Sequence, residues 1–275
     1  MKGFFLLSRP VNVFIAMLSI FLAAVIAAGL LHKAAILLAC LAGALVTAAA
    51  NSINDYFDVE IDRINRPARP IPAGLVSRQA SLIFSYVCFA LAMLISAAIN
   101  GTAFFIAVAI SALMFFYSSH LKRTVLFGNI AVSFSSAMAF IFGGVAVGSA
   151  RNAVFPAIFA FLMHLAREIV KDMEDVEGDE KEHARTLPVR YGLNPARWLA
   201  TLILAVLFVV TFLPFLLRVY GTWYFVTVLI GVNSVLVFAI LALWTFSHRD
   251  TLSRLSALLK ADMLIGLLSI YVGKW

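Results

Sequence analysis

Asn51-Ser52-Ile53-Asn54-Asp55-Tyr56-Phe57-Asp58-Val59-Glu60-Ile61-Asp62-Arg63 places four carboxylates at the end of an apolar run, Ala34 to Ala50, that carries no charge of its own. Asn54, Asp58 and Asp62 recur at intervals of four. At about 100° per residue each interval advances a helix by only about 40°, so the three side chains line one face. Such a face offers oxygen donors to a cation. Charge at the end of an apolar helix is costly, which marks the stretch as functional.

The rest of the composition says where that helix lies. Of 275 residues 63% are hydrophobic and only 13% charged, too little polar surface to cover a soluble globule of this size. Apolar runs of spanning length occur at Val11 to Leu31, Ala34 to Ala50, Ala80 to Ile99, Thr102 to Ser118, Val125 to Val147, Ala153 to Ala166, Trp198 to Leu217, Trp223 to Phe246 and Leu255 to Val272. The fold expected is an all-α integral membrane protein, nine transmembrane helices around a central cavity with cytoplasmic cap segments, forming a single polytopic domain over 1–275. The first run follows Arg9-Pro10 and is long enough to span, so it reads as a retained helix rather than a leader. Cys40 and Cys88 lie far apart in apolar runs with no His or Cys at ligand spacing, which supports neither disulfide nor zinc.

Orientation comes from the connections. Placing Met1 to Pro10, Asn51 to Gln79, Ser119 to Thr124, Arg167 to Arg197 and Ser247 to Lys260 on one side collects 17 of the 21 Lys and Arg residues, leaving Lys33, Arg151, Arg218 and Lys274 opposite. The positive-inside rule makes the first side cytoplasmic, with the amino terminus inside and the carboxyl terminus outside. This distribution, rather than nucleic acid, accounts for the net charge of +7. All 14 acids are expected on the same side, so the chemistry should face the cytoplasm of a multi-pass cell-membrane protein.

A second acidic stretch, Arg167-Glu168-Ile169-Val170-Lys171-Asp172-Met173-Glu174-Asp175-Val176-Glu177-Gly178-Asp179, sets Asp172, Asp175 and Asp179 on one helical face. Four spans separate the two stretches, an even number, so both emerge on the same side. This hints at a duplication of 1–120 and 121–247, followed by a last helix at 255–272. Hard carboxylate oxygens flanked by Arg and Lys suit Mg²⁺ together with phosphate, and no His/Cys grouping competes for a softer metal. A divalent-cation transporter is the rival class, but it would want acids near the bilayer midplane, whereas these are expected at one end.

Asn54-x-x-x-Asp58-x-x-x-Asp62 followed by Arg69-Pro70-Ile71-Pro72-Ala73-Gly74, with Asp175-x-x-x-Asp179 and Thr186-Leu187-Pro188 later, resembles the UbiA superfamily of intramembrane prenyltransferases across essentially the whole chain. Within it the chain is most similar to the archaeal ether-lipid branch. The resemblance implies that Asn54, Asp58 and Asp62 with Asp175 and Asp179 bind an isoprenyl diphosphate through Mg²⁺, to which the helical spacing adds Asp172 as a candidate metal ligand. It also places a Tyr and a basic residue after the fourth helix near the diphosphate, which map to Tyr117 and to Lys122 or Arg123. Transfer of a geranylgeranyl group to the hydroxyl of geranylgeranylglyceryl phosphate is the activity implied, with an aromatic acceptor of the 4-hydroxybenzoate, quinone or haem type as the alternative. No obligate protein partner follows. A phosphorylated acceptor needs basic residues, for which Arg9, Arg63, Arg66, Arg69 and Lys171 are available.

Weaker signals are polar residues inside helices: Asn12, Ser133 to Ser136 and His164 line the cavity or serve helix packing. Ser247 to Lys260 reads as an interfacial helix or cap, and Trp223, Tyr224, Tyr271 and Trp275 as interface anchors.

Overall fold

The computed structural model describes residues 2–181, 184–245 and 249–274. Among the described residues every regular element is helical. Nine helices are long and apolar enough to cross a membrane: Pro10–Ala28, Lys33–Phe57, Arg78–Ile99, Gly101–Ser119, Phe127–Ala146, Ala150–Glu174, Leu193–Leu216, Thr222–Thr245 and Arg249–Gly273. They are numbered here as the first to ninth spans. The expected all-α multi-pass membrane architecture is what the chain adopts. Its ends are set by familiar devices. Pro10 opens the first span and Gly29, at φ +64°, closes it, while the Ser77 and Asn100 side chains accept the amides of Ala80 and Ala103 to cap the third and fourth.

Two compact units make up the chain. The first comprises Met1–Lys122 and Met138–Val154, the second Arg123–Ala137 and Phe155–Trp275. In the first unit the second and third spans pack most extensively, followed by the first span on the second. Their core is built largely of small residues, Ala39, Ala42, Ala49, Ala92 and Ala103 among them. Small side chains bring helix backbones together, which in lipid replaces the hydrophobic driving force. Gly143 of the fifth span lies so close to the Ile20 carbonyl of the first that any Cβ there would clash. Nearby, Asn100 donates to the Val145 carbonyl (3.1 Å) and Asn152 to that of Ala27 (3.3 Å).

The second unit is cored by Ile169, Leu204, Leu207, Leu236, Leu243 and Leu259 from the last four spans. The eighth span contains a π-turn at Val228–Val232. Tyr224 is not an interface anchor: it is 1% exposed, and its hydroxyl donates to the Thr211 carbonyl (2.7 Å). Trp223 and Tyr271 are exposed, and Trp275 lies outside the described residues. The expected cap at Ser247 to Lys260 is also revised. Arg249–Gly273 is one continuous helix, so Arg254 and Lys260 ride on the ninth span, while Ser247 and His248 lie outside the described residues. Asp262 accordingly does not lie at one end with the other acids. It is 1% exposed in the middle of the ninth span.

Candidate active site

In the first unit the second span runs unbroken to Phe57, bends at Asp58 (φ −87°, ψ 3°), and resumes as a short helix over Val59–Asn65. Aspartate competes with the backbone for hydrogen bonds and suits such junctions. The bend does not lose the face. Asp58 N–H donates to the Asn54 carbonyl (3.0 Å) and Asp62 N–H to that of Asp58 (2.8 Å), so helical register carries through.

Three carboxylates here are almost wholly buried: Asp55 at 2%, Asp58 at 4% and Asp62 at 4% exposure. Each is held by a cation. Arg9 pairs with Asp55, Arg69 bridges Asp55 (3.2 Å) and Asp62 (2.5 Å), and Lys122 pairs with Asp58, which also accepts from the Asn54 amide (2.8 Å). Burial raises the Asp62 carboxyl above its ordinary range; the hydrogen bond and charge of Arg69 pull it down, and the charges of Asp58 and Asp55 push it up.

The loop after this face explains how Arg69 arrives. Ala73 N–H closes on the Arg69 carbonyl (2.9 Å), Leu75 N–H on that of Pro70 (2.9 Å), and Gly74 adopts φ +72°. This stiff turn packs Ile71 and Val76 against Leu7 and Val59 in a small core. Arg9 is held from the other side. It sits in the left-handed region (φ 53°, ψ 75°), a strained setting for a non-glycine residue that costs about 1–3 kcal/mol. The Asn51 amide on the neighbouring Ser8 carbonyl (2.9 Å) and the Asp55 pair keep it there.

The second unit repeats the local design with different partners. The sixth span runs to Glu174, bends at Asp175, and resumes over Val176–Lys181. Register again survives: Asp175 N–H donates to the Lys171 carbonyl and Asp179 N–H to that of Asp175, both at 2.9 Å. Asp172 accepts from the Asn129 amide (2.8 Å) and Asp179 from the Thr186 hydroxyl (3.0 Å). All three aspartates are partly buried. The loop returns to the fifth span's approach through Arg185 N–H on the Arg123 carbonyl (2.9 Å).

The remaining sequence candidates fall out as follows. Lys122 joins the first face, whereas the Arg123 side chain is exposed. Arg63 is exposed and pairs with Glu60 (2.8 Å). Lys171 lies 3.9 Å from Glu168. Tyr117 packs against the core formed by Ile53, Phe89 and Met114, and Asn12 is partly buried on the first span. Ser133 and Ser136 back-bond to the Asn129 and Val132 carbonyls of their own helix. Three contributors were missed. Asp55, outside the spacing of Asn54, Asp58 and Asp62, is the most buried acid of the stretch. Thr186 entered only as part of the Thr186-Leu187-Pro188 motif, and Asn129 not at all. An asparagine near the mouth of an apolar helix was the signal available for it.

The donor set fits Mg²⁺. It is all oxygen, from carboxylates and one amide, although among the described residues no three or more His, Cys, Asp or Glu side chains stand grouped so as to hold a metal ion by themselves. Mg²⁺ bound beside phosphate takes few protein carboxylates and keeps water and phosphate oxygens as its other ligands.

Comparison with known proteins agrees with this chemistry. The chain matches the UbiA prenyltransferase family over residues 15–261. It is 38% identical to the digeranylgeranylglyceryl phosphate synthase of Methanothermobacter thermautotrophicus, over 96% of this chain and 93% of that protein. It is also 38% identical to the synthase of the same name from Methanopyrus kandleri, over 98% of each. A solved structure described as giving insights into digeranylgeranylglyceryl phosphate synthase in membranes superposes with a TM-score of 0.85 at 32% identity, covering 99% of this chain and 98% of that one. A UbiA homolog from Archaeoglobus fulgidus, bound to DMAPP and Mg²⁺, shares the fold at a TM-score of 0.62 and 18% identity over 98% of this chain and 99% of that one. With a match running nearly end to end and both acidic bends inside it, the chain belongs to the UbiA prenyltransferase family.

Proposed function

We propose that the chain is the ether-lipid enzyme of its family, moving a geranylgeranyl group from geranylgeranyl diphosphate to the hydroxyl of geranylgeranylglyceryl phosphate. The observation that carries this is 38% identity over nearly the full length of proteins with that name. Membership of a prenyltransferase family makes the chain an enzyme, not a cation transporter. In the reaction the bond between the allylic carbon and the diphosphate oxygen breaks, the acceptor hydroxyl oxygen bonds to that carbon, and diphosphate and a proton leave.

Asn54, Asp58 and Asp62 in the first unit, and Asp172, Asp175 and Asp179 in the second, are each candidates to hold Mg²⁺, which when bound would neutralise negative charge as it builds on the departing diphosphate. The chain's own residues do the rest. Arg9, Arg69 and Lys122 stand paired with the carboxylates of the first face, and exchanging a carboxylate for a phosphate oxygen would bring their positive charge to the diphosphate. Asn129 and Thr186 orient Asp172 and Asp179. Apolar helices shelter the prenyl chain and keep water from the allylic cation. The charge distribution of the connections supports a cytoplasmic active side, with the amino terminus inside and the carboxyl terminus outside.

The test supplies purified protein and Mg²⁺ with labelled geranylgeranyl diphosphate, and offers geranylgeranylglyceryl phosphate or 4-hydroxybenzoate. Label should enter the ether lipid. Prenylation of the aromatic acid alone overturns the acceptor reading.

A further inference from the structure

The second unit holds a group of charges beyond its acidic bend. Arg167 and Glu168 lie on the sixth span four to five residues before Asp172, about 6–8 Å further along the helix, with His164 one more turn away. Arg167 Nη1 donates to Glu168 (2.9 Å), and Arg167 Nε donates to the Ser256 carbonyl (3.3 Å), which brings the ninth span alongside. One turn on from Ser256, and so on the same side of the ninth span, stands Lys260. Side chains here are withdrawn from solvent, Arg167 to 19% and Glu168 to 14% exposure, with Lys260 and His164 partly buried.

The charge balance is lopsided. Arg167, Lys171 and Lys260 bring three positive charges to this group against two, on Glu168 and, one turn along, Asp172. Cations on membrane-spanning helices are expensive and are kept where they serve a substrate. The first unit shows the contrasting case, in which Arg9, Arg69 and Lys122 are matched by three buried aspartates. A surplus of positive charge with a guanidinium fork and an ammonium group suits a dianionic phosphate monoester. The position suits it as well. His164, Glu168 and Asp172 follow one another at intervals of four, so this polar group lies on the same helical face as the start of the acidic bend.

We propose that Arg167 and Lys260 form the subsite for the phosphate monoester of the lipid acceptor, distinct from the carboxylates that serve the diphosphate of the donor. This rests on the acceptor reading above. Arg167 supplies the directional hydrogen bonds, Lys260 the charge, and Glu168 orients the guanidinium.

The experiment compares purified wild-type protein with Lys260→Met, Arg167→Gln and Lys260→Arg, using geranylgeranylglyceryl phosphate and its dephosphorylated alcohol as acceptors. For Lys260→Met and Arg167→Gln, KM for the phosphorylated acceptor should rise about tenfold or more while kcat stays within about threefold. kcat/KM for the alcohol, KM for the donor, and thermal stabilisation by geranylgeranyl diphosphate with Mg²⁺ should match wild type. Lys260→Arg should restore most of the loss. An unchanged KM for the phosphorylated acceptor, or an equal loss with both acceptors, overturns the subsite alone. Wild-type protein that prenylates neither ether-lipid acceptor overturns the acceptor reading, and the subsite with it.

Discussion

The two acidic bends share spacing, register and an aspartate at the break, yet they differ in what stands opposite their carboxylates. At Asp58 the acids are buried and each is met by Arg9, Arg69 or Lys122. At Asp175 they are partly buried, and neutral groups, the Asn129 amide and the Thr186 hydroxyl, donate to them. The same helical geometry therefore produces two electrostatic states. The first face is charge-balanced before any ligand arrives, with cations placed to exchange a carboxylate for a phosphate oxygen. At the second, the Asn129 amide and the Thr186 hydroxyl donate to Asp172 and Asp179 and leave other carboxylate lone pairs to face a divalent cation.

Substitutions can break this comparison. The largest effect is expected where both faces lose their bend residue. Asp58→Ala and Asp175→Ala should each lower Mg²⁺-dependent pyrophosphate release about 100-fold or more while the protein stays folded in detergent. Wild-type rates in both would remove the acidic bends from the site. Next comes Arg69→Ala, which leaves Asp62 buried without its partner and should cost about 3–5 kcal/mol of stability, seen as a lower Tm. Because Arg69 holds the Asp62 carboxyl down against burial, its loss raises that pKa further. The charged form is then lost at higher pH, and the acid limb of the activity profile should move up; an unmoved limb would show that Arg69 does not set the charge of Asp62.

Asn129→Ala tests the neutral side. Loss of one amide donor to Asp172 should cost about 1–3 kcal/mol. It should raise KM for the donor several-fold, with a smaller Tm change than Arg69→Ala. Equal Tm losses in the two variants would erase the distinction between the faces. The smallest effect belongs to Glu60→Ala. Its pair with Arg63 is exposed on both partners, and such pairs contribute about 0–1 kcal/mol, so turnover should remain within about twofold.

Much of this was legible before any coordinates. Nine apolar runs became nine spans because length and hydropathy leave a membrane helix few alternatives. The in-phase aspartates were legible for the same reason, since helical periodicity is a local property. Long-range pairing was not. Nothing in Arg9-Pro10 says that the guanidinium reaches Asp55, 46 residues later, and Asp55 falls outside the four-residue spacing that marks the face. The bends were missed because a four-residue interval reads alike across a straight or a broken helix when i to i−4 bonds persist. Asp262 was grouped with the cytoplasmic acids although it falls inside the Leu255 to Val272 run, and in the continuous helix Arg249–Gly273 it sits near the middle.

The fifth span has its first turns in one compact unit and its last turns in the other. For a ribosome delivering helices into a membrane in order, this means that four inserted spans are not yet a finished half. Until residues 138–154 emerge, the first span lacks the glycine seated on Ile20, and the Asn100 amide lacks the Val145 carbonyl. An unsatisfied amide in lipid is costly, so the nascent amino-terminal half should stay loose and protease-sensitive. A chain cut between Lys122 and Arg123 should rejoin poorly from separately expressed pieces, whereas co-expression of 1–154 with the remainder would leave that seam intact.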